Sequence, residues 1–341
     1  MDDVARFVTD CITSGAVLYC TCALLIVPFA AWLAVRFVVP IVRRMDGDPE
    51  WQAPLAAAAA VVPALLLLLM FATAIAAGFV AVCTRTYTGR FVFGTFIVVT
   101  AALLVRALRQ SLLRVRETRA LLALTVAPSR ELQAVAAELG VAMRELPDSR
   151  PFCALVAALS PHVVVSSGTV AQLSHDELRA AVLHERGHAR RGDHVVAALL
   201  AFVVDVFPLP ARELVALYRE AREWAADRHA LQGASAVDLA GALLTFTRTG
   251  HTFVHLAPLD GERGVSLRLR ALLDDSANAR VSVTARLAVV AALGAIFAAG
   301  LLPVHAAART LVSRQHEQLV ATAYHAAAAP PRRPDPCKRR G

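Results

Sequence analysis

The chain has 341 residues, a formal net charge of +8, 57% hydrophobic residues and a mean hydropathy of +0.55. Soluble domains contain about 45–50% apolar residues, so this composition favours membrane spans over a large soluble core. Almost all of the positive charge is arginine, which in such a chain indicates cytoplasmic loops, and we expect no direct binding of nucleic acid. The six cysteines form no Cys-x-x-Cys pair, which excludes a cysteine zinc framework.

Four apolar stretches are candidates for membrane spans. Ala16–Val35 and Ala53–Cys83 contain 20 and 31 uncharged residues, and about 20 helical residues cross ~30 Å of hydrocarbon. Phe91–Val105 has only 15 residues, but the arginines at its two ends can extend to the interfaces. Leu287–Val304 adds a stretch of 18 residues. The sequence therefore predicts a membrane α-helical protein with three spans in residues 1–106 and a fourth in residues 283–305.

The distribution of arginine predicts the orientation of these spans. The segment after the third span carries a group of arginines, whereas the arm before the first span is acidic. Because positive charge stays on the cytoplasmic side, residues 107–282 form a cytoplasmic domain of a multi-pass protein of the cell membrane. Residues 306–341 are then a short, disordered, extracytoplasmic tail, although their arginines favour the opposite side.

The cytoplasmic domain begins with a helical pattern that ends at Gly140, a residue suited to a helix C-cap. Three short strands are predicted next, at Val141–Leu146, Phe152–Ala158 and His162–Ser166, with prolines between them. The remaining sequence is helical in pattern, which predicts a mostly helical α+β domain. Ser174 and Glu177 have the spacing of a capping box, so a helix begins there.

That helix carries His184, Glu185 and His188, the pattern His-Glu-x-x-His. Residues four apart lie on one helical face, so both imidazoles can bind one metal ion, and Glu185 can act on a metal-bound water without being a ligand. This is the arrangement of zinc hydrolases. Arg186 points away from the metal face, and Gly187 permits close packing by another element. The alternative is a charged helix face whose histidines are incidental.

A catalytic zinc site normally takes a third protein ligand. Glu223 and Asp227 lie four residues apart on a helical stretch that starts near Ala211. One of them can bind the metal while the other accepts the N–H of a ligating histidine. The alternative is a solvated helix with Glu and Arg side chains, in which such spacings are common.

Three segments together resemble the gluzincin membrane peptidases, and in particular the BlaR/MecR family of sensor metallopeptidases. They are HVVVSSGTVAQL, SHDELRAAVLHERGHARRGDH and REWAADRHAL. The resemblance extends over about Ala16 to Val304, and SLRLRALLDD at Ser266–Asp275 is similar to an arginine-bearing segment before the last span. It implies a zincin-like metallopeptidase domain, with zinc bound by His184, His188 and Glu223, supported by Asp227 and Asp193.

The function implied is zinc-dependent hydrolysis of a protein or peptide, with Glu185 as the general base and acid. An extended substrate would pair with an edge strand, for which we choose Phe152–Ala158. His229, His251 and His255 are candidates for stabilising the oxyanion. From the resemblance we expect a regulatory protease that responds to an envelope signal and cleaves a cytoplasmic repressor of the BlaI/MecI winged-helix type. A homodimer is a further expectation.

The chain differs from the antibiotic receptors of that family in one respect. Only 37 residues follow Val304, and the sole lysine, Lys338, is preceded three places earlier by Asp335 and not by serine. A Ser-x-x-Lys site for acylation by a β-lactam is therefore absent, and we expect a short form without the penicillin-binding sensor domain.

Two alternatives remain open: a quality-control protease similar to HtpX, and a non-catalytic membrane receptor or scaffold with a vestigial zinc site. HtpX proteins usually have two spans before the His-Glu-x-x-His motif and two after it. The three spans predicted before the motif in this chain, and the one after it, favour the BlaR/MecR family over HtpX.

Overall fold

The computed structural model describes residues 36, 39–40, 49, 51–61, 65, 87–157, 160–206, 208–248, 262–273, 317 and 320–321. The predicted spans Ala16–Val35 and Leu287–Val304 lie outside the described residues, and of Ala53–Cys83 only 53–61 and 65 are described, all helical. The described chain is mostly helical with one small sheet, as predicted. Its elements are α1 (Tyr87–Ala123), α2 (Arg130–Leu139), β1 (Met143–Leu146), β2 (Cys153–Ala157), β3 (Pro161–Ser166), α3 (Ser167–Gln172), α4 (His175–Arg191), α5 (Asp193–Val206), α6 (Pro208–Ala230), α7 (Ala236–Arg248) and α8 (Glu262–Leu273).

Helix α1 is the one helix among the described residues that is long and apolar enough to cross a membrane. The segment with this property is Gly94–Ala123, which has a mean hydropathy of 1.7. It overlaps the predicted third span, Phe91–Val105, and large apolar side chains such as Phe91 and Val98 are exposed on α1. Farther along α1, Arg114 forms an ion pair with Asp205 of α5, so the helix is attached to the domain that follows it.

The three predicted strands form one mixed sheet in the order β1-β3-β2. β1 runs parallel to β3, with Met143 opposite Val163. β2 runs antiparallel to β3, with Cys153 opposite Val165. Each strand is confirmed to within two residues at either end. Within the described sheet β2 is an edge strand, so one side of its main chain is available to a partner.

The sheet has buried side chains on both faces because successive residues of β3 point in opposite directions. Val163 and Val165 pack into the main core with residues of α2, α4 and α7. Val164 points to the other face and packs with Leu121, Leu146 and Val156. All three valines are fully buried, and each such side chain stabilises the fold by roughly 1.5–3 kcal/mol. This packing holds α4 against the sheet.

Helix α4 has a well-defined beginning and end. The Ser174 hydroxyl accepts the N–H of Glu177, and the Glu177 carboxylate accepts the N–H of Ser174, so the predicted capping box is confirmed. At the other end Gly192 adopts a left-handed conformation with φ of 67°, which glycine adopts without strain. The chain turns there and α5 starts at Asp193. Asp193 is thereby placed beside the last turn of α4.

Candidate metal centre

Two helices bring the three predicted metal ligands together. His184 and His188 lie one turn apart on α4, and Glu223 projects from α6 towards them. His184 Nε2 is 3.4 Å from Glu223 Oε2, and His188 Nε2 is 3.6 Å from Glu223 Oε1. One ligand atom from each residue lies within 4.8 Å of the others, and all three side chains are buried. The three can hold a metal ion between them.

Two further carboxylates orient the histidines. Asp193 Oδ2 is 2.7 Å from His188 Nδ1, and Asp227 Oδ1 is 2.8 Å from His184 Nδ1. Both histidines therefore direct Nε2 towards Glu223 and Nδ1 towards a carboxylate, as metal-binding histidines usually do. The contact of His188 with Asp193 is a hydrogen bond, whereas the contact of His184 with Asp227 has the distance of an ion pair but not the angles of a hydrogen bond. The spacing by itself left open whether Glu223 or Asp227 faces the metal position, and the resemblance implied Glu223. In the structure Glu223 is the carboxylate that faces both Nε2 atoms.

The close approach of α4 and α6 depends on Gly187. A Cβ atom at this position would lie 3.1 Å from the Cβ of His229 and 3.3 Å from the Cα of Ala226, both on α6. The expectation that Gly187 permits close packing is confirmed. Since Ala226 is only three residues from Glu223, the glycine helps to place the glutamate opposite the histidines.

The charges in the site favour a bound cation. Burial by itself would raise the pKa of Glu223, but the histidines and Arg222 outweigh this effect and hold that pKa well below its usual value. Burial would lower the pKa of His184, but its contacts with Asp227 and Glu223 raise it to about 9. The carboxylates therefore favour positive charge at the histidine pair, whether this comes from a proton or from a metal ion.

Glu185 lies next to this group, at the boundary with the sheet. Its Oε2 accepts the main-chain N–H of Leu155, on the edge strand β2, at 2.7 Å. A cavity of about 220 Å³ lies here, between β2, α4, α6 and α7, and Glu185 and the three possible ligands contribute to its wall. Apolar side chains of α7, including Leu243 and Phe246, form another part of the wall. The edge strand and the possible metal ligands therefore line the same cavity.

No role was assigned from the sequence to two residues of this cavity, His194 and Arg268, although the resemblance included the arginine-bearing segment Ser266–Asp275, which contains Arg268. His194 lines the cavity, and its Nδ1 is buried without a hydrogen-bond partner in the described structure. In the sequence, the only indication that His194 belongs to the site was its position directly after Asp193. His229, a predicted oxyanion candidate, is not among the described residues that line the cavity, because it packs against Gly187. The other two candidates, His251 and His255, lie outside the described residues.

The fold and the site together define a mostly helical protein with a possible metal-binding site of the kind that metallopeptidases use. Comparison with protein families agrees with this class. The model of the BlaR1 peptidase M56 family matches residues 25–272, well over half of the chain. The chain therefore belongs to the BlaR1 peptidase M56 family, a family of metallopeptidases, and the family expected from the sequence is confirmed.

The chain is also similar to a second group of peptidases over a short stretch. It is 49% identical over 45 residues to protease HtpX from Acinetobacter baumannii strain AYE, and equally to that of strain SDF. The aligned stretch covers 13% of this chain and 15% of each HtpX protein. The similarity is thus local and covers only a small part of these relatives.

Proposed function

We propose that this protein is an integral membrane zinc-dependent endopeptidase. The observation that carries the proposal is the group of His184, His188 and Glu223, with Glu185 beside it at the edge of the sheet. Two imidazole nitrogens and one carboxylate are a common ligand set of catalytic zinc, which keeps a further position open for water or substrate. The side chains present fit this ion, since both Nε2 atoms already face the glutamate.

A bound zinc ion supplies Lewis acidity towards water and towards a peptide carbonyl. Glu185 takes the proton of the attacking water and delivers it to the leaving amine. Asp193 and Asp227 hold the two imidazoles in the orientation that ligation requires. The protein thus provides the ligands, their orientation and the proton transfer from its own side chains.

The substrate binds as an additional strand beside β2. The N–H of Leu155 belongs to the outer edge of β2 and is held by the carboxylate of Glu185. A substrate carbonyl that accepts this N–H releases Glu185 to act on water. Substrate binding and activation of the general base are in this way linked through one main-chain donor.

The domain acts at the cytoplasmic face of a multi-pass membrane protein. Support comes from the apolar helix α1, from the arginines that follow the predicted third span, and from the family. The substrate that the resemblance favours is a cytoplasmic repressor of the BlaI/MecI winged-helix type. A second candidate function, general proteolysis of membrane proteins, is favoured by the local similarity to protease HtpX.

The experiment is to express the Glu185→Gln variant beside a winged-helix repressor and a panel of misfolded membrane proteins. The exposed Glu213 of α6 provides the control Glu213→Gln. We expect the wild type and the control to cleave the repressor, and Glu185→Gln to bind zinc but to be inactive. Cleavage by Glu185→Gln contradicts the mechanism. Cleavage of the panel but not of the repressor favours quality control, and a wild type without zinc favours a vestigial site.

A further inference from the structure

The cavity contains a buried arginine that takes no part in the proposed proton transfers. Arg268 lies on α8 and is only 5% exposed. Its Nε donates to Asp227 Oδ2 and its Nη2 to Asp227 Oδ1, both at 2.7 Å. Its Nη1 donates to Glu223 Oε2 at 3.3 Å. A single side chain therefore contacts both carboxylates that α6 contributes to the site.

The contacts form a continuous path to the metal position. Asp227 Oδ1 accepts from Arg268 Nη2 and also lies 2.8 Å from His184 Nδ1. The planar fork of the guanidinium binds both oxygens of Asp227 and so fixes the plane of that carboxylate. The orientation of the carboxylate in turn determines how the imidazole of His184 is presented to a metal. A lysine at position 268 would supply the positive charge but not the planar contact with both oxygens of Asp227.

The positive charge of Arg268 also suits this position. Asp227 and Glu223 are both buried, and an uncompensated buried carboxylate is strongly destabilising. Arg222 contacts the other oxygen of Glu223, Oε1, at 3.1 Å. Arg268 contacts Asp227 and the remaining oxygen of Glu223, both of which His184 also contacts. Each carboxylate oxygen of Glu223 thus contacts one of the two arginines.

Arg268 reaches the site from a distant part of the chain. It lies 41 residues after Asp227, on a helix that packs against α7, and α7 in turn packs against α4. The ligand helices α4 and α6 pack directly against each other, whereas the contacts of Asp227 with Arg268 come from α8, which packs on α7.

We propose that Arg268 is a positioning residue through which the docking of α8 sets the metal affinity of the site. The proposal rests on the metal centre of the proposed function, and it goes further by making α8 a part of that centre. Displacement of α8 frees Asp227 to rotate, His184 loses its fixed orientation, and the metal is held less tightly. Any event that moves α8 therefore acts on the metal centre without touching a metal ligand.

The test compares three variants of the full-length protein in detergent: Arg268→Gln, Arg268→Lys and the control Arg270→Gln. Arg270 is an exposed arginine on the same helix. The measurements are zinc affinity by chelator competition, the visible absorption spectrum of the Co²⁺-loaded protein and thermal unfolding without metal. We expect Arg268→Gln and Arg268→Lys to bind zinc roughly 10- to 100-fold more weakly and to change the Co²⁺ spectrum. Arg270→Gln should behave as the wild type does.

The outcomes separate positioning from a merely structural role. Arg268→Lys retains the charge, so it should unfold close to the wild-type temperature while its zinc affinity and Co²⁺ spectrum are altered. A folded Arg268→Lys protein with wild-type zinc affinity and spectrum overturns the proposal, even where Arg268→Gln does not fold. A wild type that binds zinc tightly but cleaves no protein overturns the proposed function and not this inference. A wild type that binds no zinc overturns both.

Discussion

Replacing Gly187 by alanine tests the spacing of the two helices that form the metal centre. The new methyl group would lie 3.1 Å from the Cβ and 3.2 Å from the Cδ2 of His229, and 3.3 Å from the Cα of Ala226. Alanine favours the helix over glycine by about 1 kcal/mol, whereas overpacking of this kind costs about 1–3 kcal/mol. Because the Cα of Ala226 is main chain, α4 and α6 must separate by a few tenths of an ångström. We expect a net loss of stability of roughly 0–2 kcal/mol.

The larger effect of Gly187→Ala should be on metal binding. Glu223 is on the same helix as Ala226 and must lie within reach of both histidines of α4, so separation of the helices removes it from both at once. We expect a decrease in zinc affinity of at least about 10-fold, the lower end of the loss caused by disturbing the support of a metal ligand. Chelator competition measures the affinity, and thermal unfolding of the metal-free protein measures stability.

The double variant Gly187→Ala/His229→Ala provides the control. The smaller side chain at position 229 removes the contact with Cδ2 but retains those with the Cβ of residue 229 and with the main chain of α6, so we expect partial recovery of stability and of zinc affinity. The reasoning is refuted if Gly187→Ala alone is more stable than the wild type and binds zinc equally well. In that case helix propensity outweighs packing, and the helix spacing does not determine the affinity.

Three further predictions concern the support of the site. Ser174→Ala removes the capping box of α4 and should lower the free energy of unfolding by about 1 kcal/mol, whereas Ser174→Thr should lower it less; thermal unfolding measures both. Asp193→Asn weakens the anchor of His188 and should lower zinc affinity roughly 10- to 100-fold in chelator competition; an unchanged affinity would show that Asp193 does not orient the ligand. Burial and the nearby charge of Glu185 raise the pKa of the Cys153 thiol well above its usual value. Cys153 is half-buried in the wall of the cavity, so iodoacetamide should label it slowly in the folded protein and rapidly in urea, as peptide mass spectrometry would show; fast labelling of the folded protein contradicts the raised pKa of the thiol.

Much of the candidate site was predictable because its spacing is local. His184 and His188 must share one face of any helix that contains them, and the capping box at Ser174 predicted that helix from its first turn. The strand at His162–Ser166 was likewise predictable from local sequence, and β3 agrees with that prediction to within one residue. The family could also be inferred, because the two ligand motifs together are more specific than either motif alone.

The less predictable features depend on which elements face each other. The spacing of Glu223 and Asp227 allowed either carboxylate to face the metal, and the choice depends on how α6 is rotated against α4. That Arg268 holds both carboxylates, and that Leu155 donates to Glu185, are likewise results of packing between distant segments.

Local sequence was therefore sufficient for the ligand types, the helices that carry them and the family, because helix geometry relates residues three or four positions apart. The rotation of α6, the position of α8 and the contact between Glu185 and the edge strand depended on the tertiary structure. These contacts join residues 30 to 45 positions apart in the chain, and no repeating pattern in the sequence encodes which helices will pack together. Burial of apolar side chains brings the elements together, and the polar contacts of the site then depend on the resulting positions.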